Sequence, residues 1–310
     1  MRGTRFTLGI STRRLAASVV ALLGFSAGAH AERLPIKAYT VENGLAHNRV
    51  KRIVQDSHAF LWFCTAAGLS RFDGYQFTNY TSENGLPSLS LNDLVEGQDG
   101  VYWIATNSDG VIRFDLRAPV SSDEEHSARF AAHTVSSEPV TNRVNVLYRD
   151  LEGRLWAGTD GGLFRMHEEQ PMPTFEPIGL GIPGRPDLQV QIWAIVEDRA
   201  HDLWIGSSFG LLRRSPDGQI THYTVMPSAE DDRVAALIAD SNGALWIGHR
   251  AGLFVFNPRD ERGDRGHTGS RRLPAATRRY TTADASRTTP SCLYSSPRTG
   301  TSGCERLAAA

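Results

Sequence analysis

Cysteine is scarce in this sequence. The chain has 3 cysteines in 310 residues, and only Cys64 lies between residues 32 and 258. A disulfide within that segment is excluded, because the thiol has no partner there. Cys64 stands inside an apolar, strand-like run, so we expect it to be a small buried hydrophobic residue.

Long hydrophobic runs are also missing. The longest apolar stretch, Leu15 to Phe25, is shorter than the roughly 20 residues that a membrane-spanning helix needs. It follows four arginines and precedes Ala29-His30-Ala31, which offers small residues at both recognition positions of a cleavage site. We interpret residues 1–31 as a signal peptide rather than a membrane anchor, which predicts an exported, periplasmic protein.

Basic residues are few in the segment that could fold. Between residues 32 and 258 there are 19 Lys and Arg against 29 Asp and Glu, a net charge of −10. Nucleic-acid binding depends on a basic surface that neutralises phosphates. The sequence therefore predicts no nucleic-acid partner.

The common signatures of catalysis are absent from the sequence. It contains no phosphate-binding glycine loop, no metal ligands at helix or hairpin spacing and no nucleophile motif, and its 10 histidines are scattered singly. We therefore predict a protein that is not an enzyme and that has no cofactor and no metal.

A repeat fills most of the remaining chain. Its tryptophans recur at separations of 41, 53, 48 and 42 residues, the period of β-propeller blades. The repeat tryptophans are Trp62, Trp103, Trp156, Trp204 and Trp246. In four copies an alternating apolar run ends in an aspartate six residues before the tryptophan, whereas the second copy has Gly97 there. A small residue and a Gly-Leu or Gly-Val pair follow each tryptophan.

Each repeat predicts four short strands joined by turns. A four-stranded sheet has two faces to bury, and stacking blades around an axis buries both. We predict an all-β fold, a β-propeller of four-stranded blades with five blades present in an incomplete ring. The blades are expected at about 50–80, 91–134, 144–178, 190–224 and 234–257, with 36–40 as an orphan closing strand in a partial propeller domain of 32–258. The repeat tryptophans are expected in the core between blades.

The motif "VNVLYRDLEGRLWAGTDGGLFR", from Val144 to Arg165, resembles the two-component regulator propeller repeat. The resemblance covers about residues 36 to 257. It implies the extracytoplasmic ligand-sensing propeller of a two-component receptor, an N-terminal fragment that ends before any transmembrane or output domain. It further implies a small-molecule or oligosaccharide ligand, contact with the membrane only through a missing C-terminal region, and a possible homodimer of the full-length receptor.

Two other functions stay open at this point. A propeller lyase or glycosidase is one, because the turn "DSNGALW" resembles the Asp-box hairpin of sialidases. A scaffold for other proteins is the second, although the Trp-Asp pair of such repeats is missing. The fold alone does not decide between them.

Candidate ligand-binding residues precede the inner strands of blades one, three and five. These pairs are Asn48-Arg49, Asn142-Arg143 and Asp232-Arg233. In a propeller these positions open onto one mouth of the central channel, so the three arginines would ring it. Guanidinium groups suit a carboxylate-bearing or hydroxyl-rich ligand. The alternative is that the arginines only neutralise an acidic surface.

The tail of the chain differs in composition from the repeats. Residues 259–310 contain no Ile, Val, Phe, Trp or Met and have ten Arg against five acidic residues. Such a segment cannot bury a core, which predicts disorder. Read one base earlier, the codons of Arg298 to Gly303 permit Asp-Gly-Asp-Leu-Trp, so we also predict a change of reading frame between about Pro258 and Arg298.

Overall fold

The computed structural model describes residues 36–98, 100–118, 129–168, 172–181, 190–226, 231–261, 270–273 and 277–281. The expected signal peptide and the tail beyond residue 281 lie outside these ranges. The chain divides into two units, Met1–Ala38 and Tyr39–Ala310. Of the first unit only residues 36–38 are described, and they form neither a helix nor a strand.

The second unit begins with three blades of four antiparallel strands each. Blade 1 consists of β1 (Val50–Gln55), β2 (Leu61–Thr65), β3 (Gly68–Phe72) and β4 (Phe77–Tyr80). Blade 2 consists of β5 (Leu91–Glu96), β6 (Val101–Thr106), β7 (Val111–Asp115) and β8 (Phe130–His133). Blade 3 consists of β9 (Val144–Arg149), β10 (Leu155–Thr159), β11 (Gly162–His167) and β12 (Thr174–Ile178).

Two further blades follow. Blade 4 consists of β13 (Ile192–Glu197), β14 (Leu203–Ser207), β15 (Gly210–Arg214) and β16 (Ile220–Thr224). Blade 5 contains β17 (Val234–Ala239), β18 (Leu245–His249) and β19 (Gly252–Phe256). Short 3-10 turns lie at Val41–Asn43, Ser82–Asn84, Pro139–Asn142 and Pro258–Glu261. The predicted all-β propeller with five blades is confirmed.

The blades are arranged in chain order around one axis. The inner strands β1, β5, β9, β13 and β17 contact one another in that sequence. Within the described part of the chain, β17 makes no comparable contact with β1. The ring is therefore open between blade 5 and blade 1.

The repeat tryptophans of blades 1 to 4 pack between blades, and in blades 1, 3, 4 and 5 the indole is anchored by the repeat aspartate. Trp62 and Trp156 are buried, and each indole N–H donates to the aspartate six residues earlier, at 2.7 Å to Asp56 Oδ2 and 2.8 Å to Asp150 Oδ2. The same bond measures 2.9 Å in blade 4 and 3.0 Å in blade 5. The aspartate thus supplies the acceptor that a buried indole N–H needs.

The second oxygen of each repeat aspartate holds the following turn. Asp150 Oδ1 accepts from the N–H groups of Glu152 and Arg154, and Gly153 takes a φ of +84° in the left-handed region. This matches the hairpin chemistry expected from Asp and Gly at these positions. Ala59 and His201 occupy the glycine position in blades 1 and 4 and keep its positive φ, at 67° and 62°.

Two strands form inside the segment for which the sequence predicted disorder. β20 (Ser270–Arg272) pairs in parallel with β16, and β21 (Arg278–Tyr280) pairs with β19 as the outermost strand of blade 5. The prediction of disorder is wrong for these residues, because edge-strand pairing uses backbone hydrogen bonds and needs no apolar side chain. Tyr280 also stacks on Trp246, with ring centroids 6.3 Å apart.

The expected strand at 36–40 does not form. These residues have no strand pairing, and the chain enters blade 1 through the 3-10 turn at Val41–Asn43. The outermost strand of blade 5 is β21.

Candidate functional site

Every inner strand carries a β-bulge at its second residue. The bulge shifts the register between the first and third residues of β1, β5, β9, β13 and β17. The bulged residues are Lys51, Asn92, Asn145, Trp193 and Ala235. A bulge leaves its residue outside the strand ladder and re-aims the side chain, and bulges are enriched beside functional sites.

The residue just before each inner strand lies at the same end of the blade. In four blades its carbonyl accepts a backbone N–H from the loop between the second and third strands, at 3.0–3.2 Å. The acceptors are Arg49, Ser90, Arg143 and Gln191, and Arg233 precedes β17 in the same way. These five residues and the five bulged residues together form what we call the entry ring.

Side chains of the entry ring bond from blade to blade. Lys51 Nζ donates to Asn92 Oδ1 at 2.5 Å, and Asn92 Nδ2 donates to the carbonyl of Val144 at 2.7 Å. Asn145 Nδ2 continues the series, donating to the carbonyl of Ile192 at 3.1 Å. Burial, helped by the nearby charge of Arg49, lowers the pKa of Lys51. These bonds connect the inner strands of blades 1 to 4.

The three predicted arginines all belong to the entry ring. Arg143 lies 3.7 Å from Asp160 and keeps 59% of its side chain exposed. Arg233 lies 3.7 Å from Asp231 and stacks on the ring of Trp193, with its guanidinium carbon 4.6 Å from the ring centroid. The exposed Arg49 completes the set. The three arginines therefore occupy equivalent positions at the same end of blades 1, 3 and 5.

The predicted asparagines have a different role. Asn142 is buried, its Oδ1 accepts from Val135 N at 2.7 Å and its Nδ2 donates to the carbonyl of Ser136 at 3.1 Å. Asn48 Oδ1 accepts from Val41 N at 2.8 Å. These carboxamides fix the loop that leads into the next inner strand. Both polar atoms of Asn142 are thus engaged in the fold, and its contact with a ligand stays a prediction.

Trp193 and the bulged polar residues were missed by the sequence analysis. Of the chain's six tryptophans, Trp193 alone does not occupy the repeat tryptophan position. Lys51, Asn92 and Asn145 follow an apolar first residue at the same repeat position. A polar or aromatic side chain at that position in four successive repeats is the sequence pattern that could have predicted these residues.

A buried carboxylate lies next to the entry ring on β5. Asp93 Oδ1 is 3.1 Å from Arg52 Nε of blade 1, and its Oδ2 accepts from Leu147 N of blade 3 at 3.2 Å. Burial raises the pKa of Asp93 to about 6, against the opposing effect of Arg52. This side chain ties three blades together at the mouth.

The entry ring combines guanidinium and ammonium donors with three carboxamides, those of Asn92, Asn145 and Gln191, and with one aromatic face. No cluster of His, Cys, Asp and Glu suited to a metal ion occurs in the ranges that the structure covers. None of the helices described is long and apolar enough to span a membrane.

Solved structures share this fold, whereas no protein-family model and no curated protein matches the sequence. The chain is 26% identical, with a TM-score of 0.57, to a structure described as the extracellular domain of the hybrid two component system BT3049 from B. thetaiotaomicron. The match covers 73% of this chain and 31% of that one. The chain thus spans about a third of the length of that relative.

Two less similar structures show the fold alone. PorZ, a surface component of the type-IX secretion system of Porphyromonas gingivalis, is 19% identical with a TM-score of 0.55, over 72% of this chain and 34% of that one. Virginiamycin B lyase from Staphylococcus aureus is 17% identical with a TM-score of 0.52, over 73% of this chain and 69% of that one.

Proposed function

We propose that this chain is the extracytoplasmic, ligand-sensing propeller of a two-component-type signalling receptor and that the entry ring is its ligand site. The observation that carries the proposal is the set of five bulges, which places one residue of every inner strand outside the strand ladder at the same end of its blade. Similarity to the extracellular domain of a two component system supports the receptor role and an exported, periplasmic location.

The ligand is a small molecule or oligosaccharide with carboxylate or hydroxyl groups. Arg49, Lys51 and Arg143 offer charged donors, and guanidinium groups bind carboxylates through two parallel hydrogen bonds. Trp193 offers an apolar face of the kind that packs against rings in ligand sites. Asp160 and Asp231 lie within 4 Å of two of the arginines and keep their guanidinium groups oriented.

A two-stage experiment tests this function. The purified chain is screened by thermal shift against oligosaccharides in matched pairs, neutral sugar against the corresponding uronic acid, and the reaction mixtures are analysed for cleaved products. A sensor raises its melting temperature with one class and forms no product. Product formation would instead support the lyase or glycosidase alternative, and the absence of any shift would contradict the ligand-binding role.

The second stage assigns the site. Replacement of Arg49, Arg143 and Arg233 by Ala together should abolish the thermal shift caused by the ligand. Arg117→Ala is the matched control, because Arg117 is exposed in the turn after β7, at the opposite end of blade 2. Intact binding by the triple variant would show that the arginines only balance surface charge.

A further inference from the structure

Adjacent blades contact each other through a repeated pair of inner-strand positions. The face that bears the repeat tryptophan points to the following blade, and we call it the leading face; the opposite one is the trailing face. The fourth residue of the inner strand lies on the trailing face and is only 3–8% exposed in blades 2 to 5. The fifth residue lies on the leading face and packs against the same interblade clusters in blades 1 to 4.

The two ends of the ring expose these same positions. Ile53 is the fourth residue of β1 and is 55% exposed, and Ile238 is the fifth residue of β17 and is 51% exposed. Their equivalents within the propeller are covered by a neighbouring blade. The chain therefore presents one open trailing face, on blade 1, and one open leading face, on blade 5.

Glycines show what each leading face receives. A Cβ on Gly158 would lie 2.6 Å from Ile192, and one on Gly206 would lie 2.9 Å from Val234, the first residues of the following inner strands. The three atoms nearest to a Cβ on Gly248 all belong to Ala236 of its own blade. A hollow of about 660 Å³ lies beside Gly248 on the leading face of blade 5. Beside Gly158 and Gly206 the equivalent place is filled by a β-branched residue that begins an inner strand.

A tyrosine lies at the outer edge of two of the four interfaces, Tyr80 between blades 1 and 2 and Tyr223 between blades 4 and 5. In the interface between blades 1 and 2, the ring of Tyr80 lies 6.0 Å from Trp62 of its own blade. It also lies 5.0 Å from Phe114 and 6.2 Å from Phe130 of the following blade. This tyrosine therefore contacts both sides of the junction.

At the open ends of the propeller, two tyrosines each make part of the contacts that Tyr80 makes. Tyr280 contacts Trp246 of blade 5, with centroids 6.3 Å apart. Tyr39 contacts Phe72 and Phe77 of blade 1, at 5.1 and 5.7 Å, the equivalents of Phe114 and Phe130. Either tyrosine can fill the single place that an interface between these two faces provides.

Polar groups follow the same register. The N–H after the repeat aspartate donates to a glutamate that ends the next inner strand, from Ser57 to Glu96 at 2.8 Å and from Leu151 to Glu197 at 2.5 Å. In blade 5 the equivalent donor is Ser241. In blade 1 the equivalent acceptor is the exposed side chain of Gln55.

We propose that the leading face of blade 5 binds the trailing face of blade 1 of a second copy of this chain. Val50 of the second copy enters the hollow beside Gly248, and its Ile53 covers the apolar surface around Ile238. The contact continues the geometry of the four interfaces already present in the propeller. It joins two different surfaces, so each copy keeps one face for a further partner. Association therefore extends with concentration.

Because the two tyrosines compete for one place, substitutions of Tyr280 and Tyr39 should have opposite effects on association. Tyr39 of the second copy replaces Tyr280 beside Trp246, and the three-residue strand β21 is displaced. Tyr280→Ala removes the competitor and should tighten association, whereas Tyr39→Ala should weaken it. An aromatic pair contributes enough to change the dissociation constant about three- to tenfold.

Sedimentation velocity of the purified chain tests the proposal. The mean mass of the unmodified chain should rise with concentration. Ile53→Asp and Ile238→Asp each place a charge on one of the two faces, so each variant alone should be monomeric. Because both side chains are half-exposed, the fold should be retained. An equimolar mixture of the two should form a one-to-one dimer and nothing larger, because one intact face of each kind remains.

Tyr75→Asp is the matched control, since Tyr75 is 95% exposed on a turn outside both faces. It should associate like the unmodified chain. A monomeric unmodified chain at all concentrations, or a mixture of the two Asp variants that stays monomeric, would overturn the proposal. Equal loss of association in Tyr75→Asp would also overturn it, as would weaker association of Tyr280→Ala together with tighter association of Tyr39→Ala.

Discussion

The indole N–H of Trp103 donates a 2.6 Å hydrogen bond to Glu168 Oε1, a residue of the following blade. In the other four blades the repeat aspartate of the same blade accepts this bond, but blade 2 has Gly97 at that position. Arg149 holds the replacement carboxylate through two bonds of 2.7 and 2.9 Å. An acceptor lost within one blade is thus supplied by its neighbour.

We expect Glu168→Ala to lower the free energy of unfolding by about 1–3 kcal/mol, because it leaves a buried indole N–H unpaired. Urea denaturation measures this loss. Glu152→Ala is the control, since Glu152 pairs with Arg154 but is half-exposed, and it should cost at most about 1 kcal/mol. Equal losses in the two variants would show that Trp103 does not depend on Glu168.

The Glu168 contact should also weaken in acid. Burial alone would raise the pKa of Glu168, but the bonds from Arg149 and Trp103 outweigh it and hold the pKa below its usual value. A lowered carboxyl pKa adds stability above the unfolded pKa, and this stability is lost as the pH falls through the folded pKa. The stability difference between the unmodified chain and Glu168→Gln should therefore shrink in acid, and a constant difference would contradict this.

Ala59→Gly should stabilise the propeller by about 0.5–1 kcal/mol, because Ala59 has a φ of 67° that glycine adopts without steric cost. Thermal unfolding measures the change. The same substitution at Ala131, inside β8, should destabilise by a similar amount. If both variants lose stability, the turn at Ala59 is not strained.

Asp93 should impose the opposite pH dependence to Glu168. Its pKa is raised to about 6, so the folded state favours the protonated form and loses stability as the pH rises from about 4 to about 6. Asp93→Asn removes this loss, and its stability relative to the unmodified chain should rise across that window and then level off. Urea denaturation between pH 4 and 7 measures this difference in the free energy of unfolding. A difference that does not change with pH would contradict a raised pKa of Asp93.

The nucleotide sequence of the gene tests the reading-frame prediction. Tyr280 pairs with Leu253 as Tyr80 pairs with Leu69 and Tyr223 with Leu211, so the repeat register continues to β21. We therefore expect the change of frame after Thr281 and before Arg298. Stop codons or no Leu-Trp repeat in the alternative frame would show that no change of frame occurred.

The blades were predictable because local sequence patterns determine them. Much of the site was not predictable, because it depends on contacts between residues that are distant in the sequence. Trp, Asp and Gly recur at fixed positions because each blade repeats the same packing. The bulge at Lys51 is a property of how β1 pairs with β2, which no single strand displays. The bond between Trp103 and Glu168 spans 65 residues. The role of Asn142 in its loop depends on a backbone N–H 7 residues away, which the sequence does not display.

The most direct test of the entry ring uses the fluorescence of Trp193 while the ligand found in the screen is titrated. Trp193 is the tryptophan that does not occupy the repeat tryptophan position, and Arg233 stacks on its ring in the mouth. The account predicts that binding changes the emission of the unmodified chain and that Trp193→Phe abolishes the change, whereas Trp246→Phe, a repeat position, preserves it. An emission change that persists in Trp193→Phe would place the ligand away from the mouth and contradict the assignment of the site.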